Sequence, residues 1–287
     1  MLKERIKKAK TLLEALPYIR RFSGKTVVIK YGGSLMVDEN LKSLFANDIV
    51  LLKYIGMNPV IVHGGGKEIS KWIKKVGKET VFHDGLRYTD AETMEVTEMV
   101  LSGKINNEVV SLINKHGGKA VGLSGKDANL LTAKKIKSKS DKDLGQVGDV
   151  KDVNVKLLKT LCKQGYIPVI SSIGISDEHE SLNINADHVA AKVSEAIKAL
   201  KLIYLTDVMG IIHNKELVSA LNLKKAKELL KHPDIKGGMI PKLECSIEAI
   251  EAGAEYVHII NGTIEHAVLL EIFTDVGIGT MISKEIK

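Results

Sequence analysis

The 287-residue sequence contains no run of eighteen apolar residues, which excludes a hydrophobic membrane-spanning helix. It has only two cysteines, Cys162 and Cys245, far apart and each embedded in a helical pattern, so they read as reduced packing residues and not as a disulfide framework. Aromatic residues make up 4% of the chain, too few to interleave with basic residues as a base-stacking nucleic-acid surface requires. Arginine is scarce too: among 42 basic residues only Arg5, Arg20, Arg21 and Arg87 are Arg. The net charge of +7 therefore comes from lysines scattered over helix faces, a solvated surface that helps to attract anionic ligands. No repeat of 20–50 residues and no low-complexity tract is present, which removes solenoid architectures. The start, Met1 to Arg5, is basic but lacks an apolar stretch followed by a small-residue cleavage site, so the expected location is the cytoplasm.

What is present is a rhythm. Short Val- and Ile-rich runs at 27–29, 60–62, 121–123, 169–170, 202–205 and 256–259 alternate with helical patterns at 41–55, 69–76, 91–115, 155–163, 186–200, 223–231 and 240–252. Continuous apolar strands alternating with helices predict an α/β fold with a parallel sheet covered on both faces. Residues 79–90 and 129–153 break the rhythm and read as hairpins projecting from the sheet. At the start, Leu2, Ile6, Ala9, Leu13 and Leu16 form one apolar stripe on a basic helix that Pro17 should kink or restart. That stripe can pack on the body or against another subunit.

Two glycine clusters end successive strands: Lys30-Tyr31-Gly32-Gly33-Ser34 and His63-Gly64-Gly65-Gly66-Lys67. The carboxyl ends of parallel strands form the ligand crevice, and glycines there let backbone N–H groups approach anionic oxygens. Neither cluster is a Walker A loop or a Gly-x-Gly-x-x-Gly fingerprint. Lys30 ends an apolar strand, where its ammonium needs either a carboxylate partner or an anionic ligand. Lys242 stands at a helix start marked by Gly237, Gly238 and Pro241 and poses the same choice, although a lone Lys in a first helical turn is normally a surface residue. Arg87 lies in the hairpin His83–Thr89; its planar fork makes it the candidate to clamp a substrate carboxylate, the alternative being a surface Arg on a loop. In Asn183-Ile184-Asn185-Ala186-Asp187, Asn185 suits a helix cap, while Asp187 either complements the helix dipole or holds two lysines apart. Thr206-Asp207-Val208-Met209-Gly210 follows a strand and can close over a nucleotide. His258 and His266 have no carboxylate or Cys at ligand spacing in the sequence, which argues against structural zinc.

Read in order over residues 18–282, Val-Ile-Lys-Tyr-Gly-Gly, Val-Ile-Val-His-Gly-Gly-Gly, Gly-Leu-Arg-Tyr-Thr, Asn-Ile-Asn-Ala-Asp, Leu-Thr-Asp-Val-Met-Gly and Gly-Gly-Met-Ile-Pro-Lys resemble the amino acid kinase family. The Gly-Leu-Arg hairpin combined with Asn-Ile-Asn-Ala-Asp is similar to its members that phosphorylate N-acetyl-L-glutamate. The resemblance implies an open three-layer αβα sandwich with a mainly parallel central sheet. It divides the chain into a kinked helical extension (1–22), an acetylglutamate-binding lobe (23–195) and an ATP-binding lobe (196–287). Lys30 and Lys242 would neutralise the phosphoryl group in flight, Asp187 would organise both, and Gly33 would offer a backbone N–H. Gly65, Gly66, Arg87, Asn183 and Asn185 would hold acetylglutamate. Thr206, Asp207, Gly210, Ile235, Lys236 and Gly238 would bind the nucleotide, with Mg²⁺ held mainly through its phosphates.

Arginine-inhibited members of this family carry a kinked N-terminal extension. The resemblance therefore also implies an L-arginine effector site involving Tyr18, His258, Glu271 and Gly277, and a homo-oligomer: a hexamer built as a trimer of dimers, otherwise a dimer. No nucleic-acid or membrane partner is expected. Two departures stand out, Asn261-Gly262-Thr263 where relatives often have an Asp and an Arg, and Ala128 where Gly is common. The competing expectations are a family member acting on carbamate, aspartate, glutamate or UMP, and a nucleotide-binding regulatory protein without catalysis.

Overall fold

The computed structural model describes residues 2–274 and 277–285, so Asp275 and Val276 of the C-terminal segment lie outside the described residues. The chain opens with α1 (Leu2–Glu14) and α2 (Leu16–Phe22), which break at Ala15 and place Pro17 in the first turn of α2. Proline is tolerated there because its missing N–H has no intrahelical acceptor. The apolar stripe of α1 stays exposed on the single chain, with Leu2 at 72% and Leu13 at 66%. By contrast α2 docks through buried Phe22.

The first alternation follows: β1 (Thr26–Tyr31), α3 (Glu39–Tyr54), β2 (Asn58–His63) and α4 (Gly66–Lys75). The short hairpin β3 (Phe82–His83) and β4 (Leu86–Arg87) comes next, then α5 (Ala91–Glu98), α6 (Asn106–Lys115) and β5 (Ala120–Leu123). After these come β6 (Leu131–Lys135), β7 (Val147–Val153), α7 (Val155–Lys163), β8 (Ile167–Ser171), β9 (Ile173–Ile175) and β10 (Ser181–Ile184). The remainder comprises α8 (Ala186–Ile197), β11 (Lys201–Thr206), β12 (Ile212–His213), β13 (Glu216–Leu217), β14 (Ala220–Asn222) and α9 (Leu223–Leu229). It closes with α10 (Met239–Glu251), β15 (Tyr256–Asn261), α11 (Ala267–Phe273) and β16 (Thr280–Ser283).

Eight strands form one sheet in the order β14-β16-β15-β11-β1-β2-β8-β5. The six strands expected from the apolar runs are its parallel core; β16 runs against β15, and β14 follows β16. Alternate residues of each strand feed opposite faces, the ordinary consequence of a two-residue side-chain period. Val27, Ile29, Ile61 and Ile203 pack with Phe45 and Ile49 of α3, Ile113 of α6 and Ile272 of α11. Val28, Val60, Leu202 and Val257 pack instead with Val189 and Val193 of α8 and Leu243 of α10. Two apolar cores on one sheet make the three-layer αβα sandwich.

Three features differ from the sequence expectation. The second hairpin, β6–β7, does not stand alone: with β9 and β10 it closes a small four-stranded barrel. The helix expected over 91–115 contains a π-helical segment, Met99–Ile105, between α5 and α6. The seven-residue α11 follows a left-handed residue, His266, with no side-chain cap, so neither periodicity nor a capping signal marked it.

Ala128 sits in the loop before β6 in the left-handed region, at φ 50° and ψ 34°. A Cβ there costs roughly 1–2 kcal/mol, partly offset by the extra unfolded-state entropy of glycine. Ala128→Gly is therefore expected to raise stability by up to about 1 kcal/mol, read as a higher urea midpoint at an unchanged slope.

Candidate active site

The site is built around one carboxylate. Asn185 caps α8, its side-chain oxygen accepting the Asp187 N–H at 2.8 Å, and this turn carries Asp187 inward. The Tyr204 hydroxyl, buried in β11, donates to the Asp187 carbonyl at 3.1 Å and fixes the turn to the sheet. Lys30 then reaches Asp187 Oδ1 at 3.1 Å from the end of β1, and Lys242 reaches Oδ2 at 2.8 Å from the first turn of α10. The carboxylate side chain is 7% exposed and the two lysines 13% and 16%. Burial alone would push the Asp187 carboxyl up, but the Lys30 and Lys242 ammonium groups hold it below the ordinary carboxylate range. Two lysines 212 positions apart in sequence thus share one counter-ion and keep N–H groups for a further anion.

Next to this triad opens a cleft of about 1280 Å³, lined by Lys30, Gly32 and Gly33 on one side and by Gly64–Gly66, Arg87, Asn183 and Asp187 on the other. Gly65 is a matter of space: a Cβ there would lie 2.3 Å from Ile105 Cδ1 and 2.8 Å from Leu101 Cδ2. The glycine loop leads into α4, whose N-terminus has no side-chain cap, so its first N–H groups are available to an anion. Arg87 is a buried residue of the cleft wall, which settles the choice left open by the sequence in favour of the interior. Its Nη2 donates to the Gly66 carbonyl and to Ser70 Oγ, both at 2.9 Å, and its guanidinium lies over the Phe82 ring. Asn183 donates to Thr89 Oγ1 at 3.2 Å, linking β10 to the arginine hairpin. Asn185 and Asn183 both line the cleft, Asn185 through the cap it makes.

The nucleotide candidates lie elsewhere. Thr206 ends β11 and closes a tight turn by donating to the Val208 carbonyl at 2.8 Å. Asp207 lies against Gly33, whose φ of +75° and added Cβ, 2.5 Å from Asp207 Oδ1, both demand glycine. Gly210 abuts Thr280, Ile235 is buried, and Lys236 and Gly238 are exposed just before α10. None of these six lines the cleft; Asp207 at Gly33 and Lys242 at Asp187 connect their side of the molecule to it.

Tyr18, His258, Glu271 and Gly277 also converge, away from the cleft. Tyr18 meets the Phe273 ring edge-on, with centroids 6.2 Å apart. His258 Nδ1 lies 2.5 Å from Glu271 Oε1, Oε2 accepts the Ile278 N–H at 2.9 Å, and a Cβ on Gly277 would lie 2.5 Å from Oε1. The sequence reading missed a further member of this group, Lys201, whose Nζ is 3.2 Å from His258 Nε2. Burial lowers its pKa to about 8. A lysine at the start of an apolar strand has the look of an edge residue, but Lys201 is buried against Phe22 of α2 and against Tyr256 and His258 of β15.

His63 was also missed as a functional position. It is fully buried; its Nε2 faces Asn106 Nδ2 at 3.0 Å and its Nδ1 the Gly64 carbonyl at 3.1 Å. Asn106 in turn donates to the Val169 carbonyl at 2.9 Å. The glycine loop is thereby anchored to β8 through two side chains.

Residues 25–261 match the model of the amino acid kinase family, and the chain belongs to that family. It is 55% identical to an acetylglutamate kinase of Caldanaerobacter subterraneus subsp. tengcongensis over 286 residues, covering 98% of this chain and 95% of the relative. Among solved structures, N-acetylglutamate synthase from Neisseria gonorrhoeae in complex with coenzyme A and N-acetyl-glutamate is similar with a TM-score of 0.87 and 28% identity over 97% of this chain. The same enzyme with coenzyme A and L-arginine gives a TM-score of 0.82 at 27% identity over 95% of this chain. The chain spans 64% of the length of that synthase.

Burial lowers the His63 pKa from 6.5 to about 4. The unfolded chain therefore binds more protons between those values, and stability falls as pH drops from 6.5 to 4, by roughly 3 kcal/mol at this position. His63→Gln should remove that slope. Urea unfolding of both proteins between pH 7 and 4.5 checks it: the stability gap should narrow as pH falls, and a constant gap would refute a neutral buried imidazole.

Proposed function

We infer that the chain is an ATP-dependent phosphotransferase that transfers the γ-phosphoryl group of ATP to the side-chain carboxylate of N-acetyl-L-glutamate, a step of arginine biosynthesis. The observation that carries this reading is the pair of lysines, Lys30 and Lys242, meeting on Asp187 beside a cleft with a glycine loop and a buried arginine. The high identity to acetylglutamate kinase over nearly the whole chain supports the acceptor.

A carboxylate acceptor is already ionised at neutral pH, so no general base is needed and catalysis reduces to alignment and charge stabilisation. Arg87 and Asn183 orient the acceptor, with Gly65 and Gly66 offering backbone at close range and Asn185 holding the turn that carries Asp187. Lys30 and Lys242 flank the migrating phosphoryl group, Asp187 keeps both aimed, and Gly33 supplies an N–H. Both Asp187 oxygens face ammonium groups and are poor metal ligands. That donor set fits a Mg²⁺ ion arriving on ATP and held through its phosphates, where it would neutralise charge. The acceptor belongs to the lobe 23–195. The nucleotide belongs to the lobe 196–287, near Thr206, Asp207, Gly210, Ile235, Lys236 and Gly238.

An ADP-coupled assay with acetylglutamate, glutamate, aspartate, carbamate and UMP tests the acceptor. Turnover of free glutamate without turnover of its N-acetyl form would overturn the assignment. Lys242→Ala should lower kcat by about 100-fold or more while the circular dichroism spectrum is retained. Arg87→Ala should raise KM for acetylglutamate by ~10-fold, since a charged hydrogen bond is worth about 1.5–3 kcal/mol.

A second reading concerns regulation. L-arginine acts as an effector near Tyr18, His258, Glu271 and Gly277, and α1 engages another subunit in a hexamer. The exposed stripe of α1, the meeting of these residues, and the arginine complex of the similar synthase favour it. Light scattering and rates with added L-arginine test both parts. A dimer whose rate arginine leaves unchanged would reject the regulation and leave the kinase assignment standing.

A further inference from the structure

We propose that His213, His232 and Asp234 form a binding site for a divalent transition-metal ion of the zinc class, separate from the phosphoryl-transfer cleft. Among the described residues, these three side chains offer ligand atoms that all lie within 4.8 Å of one another. They come from two segments: His213 ends β12 in the β12–β13 hairpin, and His232 and Asp234 lie in the loop between α9 and α10.

The spacing suits a metal. His213 Nδ1 is 3.2 Å and His232 Nδ1 is 3.5 Å from Asp234 Oδ2. Tetrahedral zinc with bonds near 2.0–2.1 Å separates its ligands by about 3.4 Å. An ion can therefore enter with small side-chain rotations in place of the present direct contacts. The two imidazoles stand perpendicular with centroids 4.5 Å apart, an arrangement that lets their nitrogens approach one point without ring overlap.

The surroundings are partly organised for this. Asp234 Oδ2 accepts the Asn214 N–H at 3.0 Å, which fixes the carboxylate against the hairpin. Asn214 Nδ2 lies 3.2 Å from His213 Nε2. With metal on Nδ1, the Nε2 of His213 carries the proton, and the Asn214 amide turned over presents its oxygen to it, the usual outer partner of a ligating histidine. The bond from the Asp234 N–H to His232 Nδ1, at 3.3 Å, is long and is given up on binding. All three side chains are between 32% and 41% exposed, which leaves a path for entry and room for a water as fourth ligand. Two imidazoles with one carboxylate select zinc-class ions over Mg²⁺, which prefers oxygen donors. The ion would tie the hairpin after Gly210 to the loop that runs directly into Ile235–Gly238.

The test uses the full chain without a histidine tag, stripped with chelator and free of nucleotide. Titration with Zn²⁺ against a chromophoric chelator should reveal one tight equivalent, weakened at least tenfold in His232→Ala and in Asp234→Asn. Co²⁺ should give the intense visible absorption of a tetrahedral site in the parent and lose it in both variants, with circular dichroism confirming that they fold. Mg²⁺ at equal concentration should not compete. No stoichiometric Zn²⁺ binding, or binding that both variants retain, would overturn the proposal.

Discussion

The structure depends on a buried carboxylate shared by two ammonium groups. Removing a charge from water costs several kcal/mol, and attraction offsets this only where geometry is good and partners are complete. Lys242 hydrogen-bonds one oxygen of Asp187, Lys30 pairs with the other by charge alone, and the Asn185 cap fixes the turn that carries the carboxylate. The arrangement carries a net positive charge next to the cleft, so an anion entering there completes it. Every other feature of the site follows from holding α8, β1 and α10 so that this triad closes. The continuous apolar strands supply the rigid platform, and Tyr204 bolts the Asp187 turn onto it.

The sheet was legible in the sequence because its parallel strands are buried on both faces, and burial on both faces writes an unbroken apolar run. The hairpin β6–β7 was legible too, but its barrel partners β9 and β10 were not, since they have only three and four residues and include Gly174 and Ser181, which carry no β signal. The pairing of Lys242 with Asp187 was implied only by the family resemblance, whereas Lys30 and Arg87 were legible as charges in places where charge is costly or geometrically special. His63 and Asn106 were not, because neither is unusual where it stands; their meaning lies in a contact across 43 residues. Lys201 was hidden for a similar reason, being buried by an element distant in sequence.

The same chemistry of burial divides the ionisable groups into two kinds. Asp187 faces lysines that can also serve a ligand. Lys201, His258 and Glu271 are instead linked in series: the ammonium meets Nε2, and Nδ1 meets the carboxylate. A neutral imidazole between a cation and an anion relays polarity without carrying charge itself, and burial favours that neutral form. The result is a polar column inside an apolar layer, joining β11, β15 and α11 under the N-terminal helices.

The π-helical segment between α5 and α6 has a consequence for how this family of folds can vary. A π turn holds one residue more than an α turn, so it acts like a single-residue insertion absorbed without a loop. In a strict α-helix one added residue would turn everything downstream by about 100°; the wider π turn takes it up and leaves both halves facing as before. Leu101 and Ile105 face the glycine loop, and Ile113 downstream faces the sheet. Deleting one residue here would restore an ordinary helix with both halves still in register, so the extra residue is a local device that widens only the turn where Leu101 and Ile105 meet the glycine loop.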